Sequence, residues 1–285
     1  MLAVALGLAS SLCWGLADFF GGLQSRLRPL VAVLLVSQVI ALTLLALFAL
    51  VFAGEGPSAA AAAWAALAGS VGCLALAAFY RGLAIGTMGV VAPLSATGAA
   101  VPVLVGVAEG ERPGAVQVAG MVLALVGILL ASREASGEPA PGQDERPASR
   151  AAIGLALVAA LGFGTFFVGV ARATETAEVT WVILISRSCS LLLVAAAALV
   201  IRPELPRDAR SLVPLAAVGI LDLAANGLYA VATTKGLLSI VAVLGSLYPA
   251  VTVILARLVL AERLTRVQGA GVIATLCGVV AISSG

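Results

Sequence analysis

Ionisable residues lie inside long apolar runs of the sequence, among them Asp18, Asp222 and Arg187. A charge within an apolar segment is expensive to bury, so such residues usually face a cavity or a partner of opposite charge. A carboxylate in a cavity could hold a substrate amine or a proton that is exchanged during a functional cycle. These residues are therefore the first candidates for a functional site.

Asp18 lies near the end of its run, one helical turn after Trp14 and on the same helix face. Two interpretations are open. Asp18 lines a cavity beside Trp14 and binds substrate or a proton, or it is hydrogen-bonded near the membrane interface with support from Arg26 or Arg28. We include Trp14 and Asp18 among the predicted substrate-binding residues.

Asp222 is followed by Asn226 and Tyr229 at helical spacing, so the three side chains share one helix face. Arg187 lies at a similar depth in the preceding run and could pair with Asp222. The pair either positions two helices or contacts substrate, and the sequence leaves both interpretations open. We include all four residues in the predicted substrate-binding site.

Two tyrosines complete the predicted site, Tyr80 and Tyr248. Tyr80 closes its run and resembles Tyr229 in position, although an aromatic anchor at the membrane interface would look the same. Tyr248 lies in the middle of its run and is too deep for such an anchor. It therefore faces either the cavity or the protein core.

The composition indicates which elements must position these residues. The chain has 285 residues, of which 62% are hydrophobic and 11% are charged, and its mean hydropathy is +1.16. A soluble domain carries about 25% charged residues, so this chain must expose apolar surface to a lipid bilayer. Ten apolar runs are close to the roughly 20 residues that a membrane-spanning helix needs. They lie at about residues 2–23, 30–53, 60–83, 90–108, 116–132, 152–171, 179–201, 212–233, 239–260 and 267–283.

The sequence lacks the residues that several classes of protein function normally need. A net charge of +2 with a single lysine argues against nucleic-acid binding. The chain has no histidine, no phosphate-binding loop and no dinucleotide fingerprint. Its cysteines, Cys13, Cys73, Cys189 and Cys277, lie in apolar runs without a CxxC pair and are interpreted as packing residues. We expect no catalytic residue, no metal and no cofactor.

The sequence repeats itself across a linker rich in charge, proline and glycine, residues 133–150. GERPGAVQVAGM at residues 110–121 and AERLTRVQGAGV at residues 261–272 share six of twelve positions, each just before the last run of its half. The linker divides the ten apolar runs into five and five. Because five is an odd number of crossings, the second copy must enter the membrane from the opposite side. We predict an all-α integral membrane protein with ten transmembrane helices in two inverted five-helix repeats, residues 1–132 and 151–285.

Loop charges predict how the chain is oriented. Eleven arginines lie in or beside loops that follow odd-numbered runs, against three basic residues in the opposite loops. By the positive-inside rule both termini lie outside the cytoplasm, in a multi-pass protein of the inner (cytoplasmic) membrane.

Local features refine this arrangement. Pro93, Pro102 and Pro249 remove backbone donors inside the fourth and ninth runs and predict kinks there. Gly120 and Gly127, with matching glycines in the tenth run, form seams of small residues that we interpret as packing surfaces, a homodimer interface being the alternative.

With these features the sequence resembles the drug/metabolite transporter superfamily, in its ten-helix EamA-type form. The residues that carry the resemblance are Trp14-Gly15, Gly110-Glu111-Arg112 and Ala261-Glu262-Arg263, Gln117 and Gln268 with the glycines that follow each, and Pro249. The resemblance implies transport of small metabolites or drugs, often export, through a central cavity between the halves. We expect Glu111 and Glu262 to cap the next helix or to pair with the adjacent arginine.

We therefore predict a secondary transporter that moves a small-molecule substrate by alternating access, with the third, fourth, eighth and ninth runs lining the path. The mixed polarity of the predicted site suits a zwitterion such as an amino acid. No ATP-binding motif is present, so an ion gradient would drive transport, with protons as the natural coupling ion. A lipid or lipid-linked sugar flippase is the alternative. An integral membrane enzyme or a scaffold fits less well, because an enzyme would need clustered catalytic side chains.

Overall fold

A computed structural model of the chain describes residues 1–86, 88–131, 150–206, 208–260 and 266–284, in which every regular element is a helix. Residues 1–131 contain α1 (Leu2–Leu27), α2 (Leu30–Phe52), α3 (Ala59–Ile85), α4 (Met88–Ala96), a 3₁₀ turn (Thr97–Ala99), α5 (Ala100–Ala108) and α6 (Ala115–Ala131). Residues 150–284 contain α7 (Arg150–Thr174), α8 (Val179–Ile201), α9 (Ala209–Thr233), α10 (Leu238–Gly245), α11 (Tyr248–Leu260) and α12 (Arg266–Ser284). All but one residue of the predicted linker lie outside the described ranges.

Six helices are long and apolar enough to cross a membrane: α1, α2, α3, α7, α8 and α9. Four shorter apolar helical stretches lie at Leu94–Ala108, Ala115–Gly127, Leu238–Thr252 and Gly269–Ile282. Large apolar side chains such as Leu50, Val51 and Phe52 point outward, where lipid would cover them. The chain is an all-helical, multi-pass membrane protein.

The fourth and ninth predicted runs are each broken near the middle. The 3₁₀ turn separates α4 from α5, and two residues separate α10 from α11. Pro102 and Pro249 lie in the first turn after each break, and neither has the N–H that would bond the carbonyl four residues earlier, at Gly98 and Gly245. The helices are therefore broken beside Pro102 and Pro249, where kinks were predicted, whereas α4 continues through Pro93, where a kink was also predicted.

Helices that precede the linker pack against helices that follow it. α1 packs along α9, and α3 packs along α7. α2 contacts α8 and α9, and α3 also contacts α8. A Cβ on Gly69 of α3 would overlap the backbone carbonyl of Ser186 of α8, and one on Gly219 of α9 would overlap that of Ser37 of α2. Backbones therefore touch at these two crossings.

The seams of small residues pack α6 against α12 within one chain. A Cβ added to Gly120 would lie 2.8 Å from the carbonyl oxygen of Gly278, and Gly127 faces Thr275 at a similarly short distance. The seams are internal packing surfaces, as we interpreted them. They are not free to join two copies of the chain.

Glu111 caps a helix on the other side of the linker. Its carboxylate accepts hydrogen bonds from the N–H groups of Leu238 (2.6 Å) and Ser239 (3.1 Å), the first two residues of α10. Gly110 makes the turn with φ 97°, a value that side chains other than glycine rarely adopt. The expectation that Glu111 caps α6 or pairs with its neighbour is therefore wrong, because the turn directs it to α10. Glu262 lies outside the described residues.

Candidate functional site

A cavity of about 640 Å³, including the space open to solvent, lies between helices from both sides of the linker. Its walls come from α1, α2, α3, α7, α8 and α9 and from the first residue of α11. Six of the eight predicted site residues line it: Trp14, Asp18, Arg187, Asp222, Asn226 and Tyr248. The predicted lining is wrong for the fourth run, since no described residue of α4 or α5 reaches the cavity, and α2 and α8 contribute instead.

Arg187 and Asp222 form a salt bridge on one wall of the cavity. Their side chains are 8% and 17% exposed, so water screens the pair only weakly. The Arg187 guanidinium binds Oδ2 of Asp222, and Nδ2 of Asn226 donates to Oδ1 at 3.1 Å. Both carboxylate oxygens are therefore occupied. The pair joins α8 to α9, as one of the two interpretations predicted, and it also faces the cavity. Contact with substrate stays a prediction.

Asp18 lies on the α1 wall and is 6% exposed. Within the described part of the chain, no basic side chain forms an ion pair with it. Arg28 is engaged elsewhere, where it donates to Oε1 of Gln24 (3.0 Å) and Oγ of Ser211 (2.7 Å). Asp18 is therefore a cavity carboxylate without an ion pair among the described residues, and neither Arg26 nor Arg28 supports it as the second interpretation required.

Tyr80 lies behind Asp18 and does not line the cavity. Its hydroxyl donates to the carbonyl oxygen of Ala17 at 3.5 Å and lies beside the Asp18 carboxyl group. Gly21 has no side chain and leaves room for this hydroxyl. Tyr80 is fully buried, so the alternative of an aromatic anchor at the membrane interface is wrong. It acts as a positioning residue for Asp18.

Tyr229 holds a corresponding place behind Trp14. Its ring stacks on Phe167 with centroids 4.7 Å apart, and its centroid lies 5.6 Å from that of Trp14. The Tyr229 hydroxyl lies 3.4 Å from the carbonyl oxygen of Phe167. Tyr229 is completely buried and therefore supports the aromatic wall without reaching the cavity.

Tyr248 lines the cavity at the break between α10 and α11. Its ring meets Phe79 and Phe163 edge to face, with centroids 5.9 and 6.3 Å apart. Its hydroxyl is buried and has no hydrogen-bond partner among the described residues. The sequence left a choice between cavity and core, and the structure places Tyr248 at the boundary of both.

Gln38 of α2 was not among the predicted site residues. It lines the cavity and is 3% exposed, yet neither its Nε2 nor its Oε1 has a hydrogen-bond partner in the described structure. Gly72 of α3 and the aromatic ring of Phe166 also line the cavity. The signal for Gln38 was available, because an amide in an apolar run is as conspicuous as a charge, but the second run was not searched for polar residues as the eighth run was, where Asn226 was found.

Comparison with known proteins identifies the family. A model of the EamA-like transporter family matches residues 1–133 and residues 150–284. The chain belongs to the EamA-like transporter family. This confirms the resemblance seen in the sequence and gives the protein a general role in membrane transport.

Other comparisons concern the fold of this EamA-like transporter. One solved structure, described as "Crystal structure of protein", superposes with a TM-score of 0.75 over 98% of this chain and 95% of that chain. The two sequences are 15% identical, so the likeness shows a shared fold alone. A search of the curated proteins found no match.

Proposed function

We propose that this EamA-like transporter is a secondary transporter that carries a small amine-bearing metabolite across the cytoplasmic membrane by alternating access, in the direction of export. The observation that carries the proposal is Asp18, a cavity carboxylate with no cationic partner among the described residues. A substrate amine would supply the missing positive charge. The rings of Trp14 and Phe166 would contact its apolar body.

Ten crossings in two inverted repeats are the architecture we propose for this cycle. The six long helices and the four shorter apolar stretches would supply them, five on each side of the linker. The separate family matches to residues 1–133 and 150–284 support a repeat. In this arrangement each half presents its first three helices to the other half across the cavity.

The packing supports a two-fold relation between the halves. If α1 corresponds to α7 and α3 to α9, a two-fold rotation that swaps the halves would turn the contact of α1 with α9 into the contact of α7 with α3. Both contacts are present. The tyrosines follow the same rule. Tyr80 of α3 reaches the Ala17 carbonyl of α1 at 3.5 Å, and Tyr229 of α9 reaches the Phe167 carbonyl of α7 at 3.4 Å.

Asp18 is also the proposed site of proton coupling. A carboxylate that binds either a proton or the substrate amine couples the movement of the two in opposite directions, since both cannot occupy it together. Asp222 is poorly suited to this task, because Arg187 and Asn226 hold both of its oxygens. The arginine distribution supports both termini outside the cytoplasm.

Uptake into proteoliposomes tests the proposal. Radiolabelled phenethylamine, phenylalaninamide and phenylalanine serve as probes at pH 6, and protein-free vesicles give the passive leak. We expect at least one probe to be carried above the leak and accelerated by a proton gradient. Asp18→Asn should abolish that carriage, whereas Glu55→Gln, an exposed carboxylate in a loop, should leave it unchanged. Carriage of none of the probes, or full coupled carriage by Asp18→Asn, would contradict the proposal.

A further inference from the structure

We infer that the cavity selects an aromatic amine whose second polar group is uncharged, such as a carboxamide, and that Gln38 binds this group. The inference rests on the proposed transport function and narrows its substrate class. A free amino acid, which the sequence suggested, carries a carboxylate, and the described cavity wall gives a carboxylate no unshared cation.

The charges on the cavity wall favour a cation over a zwitterion. Among the described residues, the acidic and basic side chains that line the cavity are Asp18, Asp222 and Arg187. Arg187 is paired with Asp222, so Asp18 leaves one negative charge uncompensated. A substrate carboxylate would have to compete with Asp222 for Arg187 and would lie in a cavity with two like charges. Such repulsion discriminates against zwitterions while it favours amines.

The hydrogen-bonding groups of the wall call for a neutral polar group on the same ligand. The Gln38 amide offers one acceptor and two N–H donors, and neither its oxygen nor its nitrogen has a partner in the described structure. The buried Tyr248 hydroxyl also has no hydrogen-bond partner in the described structure. Buried polar groups without partners are costly, so a ligand or water must complete them. A carboxamide both donates and accepts, and it matches the Gln38 side chain group for group.

The two matching helix crossings explain why Gln38 is unpaired. On α8, Arg187 follows the residue that touches the α3 glycine, and on α2, Gln38 follows the residue that touches the α9 glycine. Three residues after the crossing glycine comes Asp222 on α9, but Gly72 on α3. In the proposed repeat, Gln38 of the first half therefore corresponds to Arg187 of the second half. The residue that corresponds to Asp222 is Gly72, which has no side chain. No carboxylate is therefore present on α3 to pair with Gln38, and the Phe166 ring lies 2.9 Å from where a Gly72 Cβ would stand.

Aromatic and apolar walls define the rest of the ligand. Trp14, Phe163, Phe166 and Phe167 line the cavity together with Leu76 of α3. Trp14 lies 6.3 Å from Phe166 and 5.6 Å from Phe167 between ring centroids, so these walls form a continuous aromatic surface. A planar apolar body beside the amine would be covered by these rings.

Three matched probes test the inference by equilibrium binding to the full-length transporter in detergent at pH 6. Phenethylamine carries the cation alone, phenylalaninamide adds a carboxamide, and phenylalanine adds a carboxylate. We expect phenylalaninamide to bind about tenfold more tightly than phenethylamine, the gain of hydrogen bonds to groups otherwise left unpaired. Phenylalanine should bind at least about tenfold more weakly than phenylalaninamide.

Two variants place the preference at Gln38. Gln38→Met keeps the length of the side chain and removes its polar atoms, so it should bind phenylalaninamide and phenethylamine equally. Gln24→Met is the matched control, because Gln24 is a buried glutamine that lies outside the cavity lining. It should keep the full preference for the amide. If Gln38→Met does not fold, Gln38→Leu replaces it, and the ranking of the three probes on the unaltered protein stands as an independent test.

The outcomes separate this inference from the proposed function. Phenylalanine binding as tightly as phenylalaninamide, an amide preference that survives in Gln38→Met, or binding of none of the probes would each overturn the inference. Carriage of phenylalanine into vesicles together with any of these results would leave the transport proposal standing. The expected binding order without carriage of any probe would overturn the transport proposal and leave the site assignment intact.

Discussion

Asp18 and Asp222 are the same residue type in two different environments. Arg187 and Asn226 hold both oxygens of Asp222, whereas Asp18 lies beside the Tyr80 hydroxyl and forms no ion pair with a described residue. A fully paired carboxylate contributes mainly to the positions of the helices that carry it. A carboxylate without a cation is the one that a ligand can complete. The two aspartates should therefore differ in what their substitution damages, stability for Asp222 and binding for Asp18.

A double-mutant cycle checks the role of the buried pair. Arg187→Gln or Asp222→Asn alone leaves one charge buried without its partner, and each should lower the free energy of unfolding by about 3 kcal/mol. The double variant should lose clearly less than the sum of the two, because no unpaired charge remains. Unfolding in mixed micelles measures all four proteins. Additive losses would show that the two residues do not interact.

At this scale the sequence predicted the charged residues of the site together with Trp14, Asn226 and Tyr248, and it missed Gln38. Six predicted residues line the cavity because a charge or a large aromatic ring at mid-depth has few other places to go. Tyr80 and Tyr229 were predicted to line the cavity but are buried behind its wall. Spacing along a helix does not distinguish a residue of the cavity wall from the residue behind it. Gln38 went unweighed as a neutral amide, although the same argument from burial applies to it.

At the scale of elements, the close crossing of α9 with α2 depends on a residue without a side chain. A Cβ on Gly219 would overlap the carbonyl oxygen of Ser37, and backbone cannot move aside as a flexible side chain can. Gly219→Ala should therefore lower the free energy of unfolding by about 2 kcal/mol. Gly227 on the same helix has nothing within 4 Å of its added Cβ, so Gly227→Ala should be neutral or stabilising by up to about 1 kcal/mol. Thermal unfolding of the two variants in detergent compares them, and equal effects would refute the close crossing.

Hydropathy located the long helices well because each is one uninterrupted apolar run. The seventh predicted run, residues 179–201, has the same bounds as α8. The same signal failed at α4–α5 and α10–α11, since apolar residues continue through both breaks while the backbone does not. The cap from Glu111 to α10 was also beyond the sequence, because it joins positions that are brought together only by the fold.

At the scale of the whole molecule, helices from the two sides of the linker enclose one cavity. The polar residues on its two sides differ. In the proposed repeat, an ion pair joins the helices on one side, and on the other side the amide of Gln38 has no partner among the described residues. Two inverted halves can exchange conformations, so that the cavity opens first to one side of the membrane and then to the other. The central claim of this account is that the same Asp18-containing cavity is reached from both sides.

The thiol of Cys73, which lines the cavity and is 6% exposed, gives the most direct test of that claim. With Cys13, Cys189 and Cys277 replaced by serine, a membrane-impermeant cationic methanethiosulfonate reagent is added to right-side-out and to inside-out vesicles. The account predicts that Cys73 reacts in both preparations and that phenylalaninamide slows both reactions. Reaction from one side only, or protection from one side only, would contradict alternating access to this cavity.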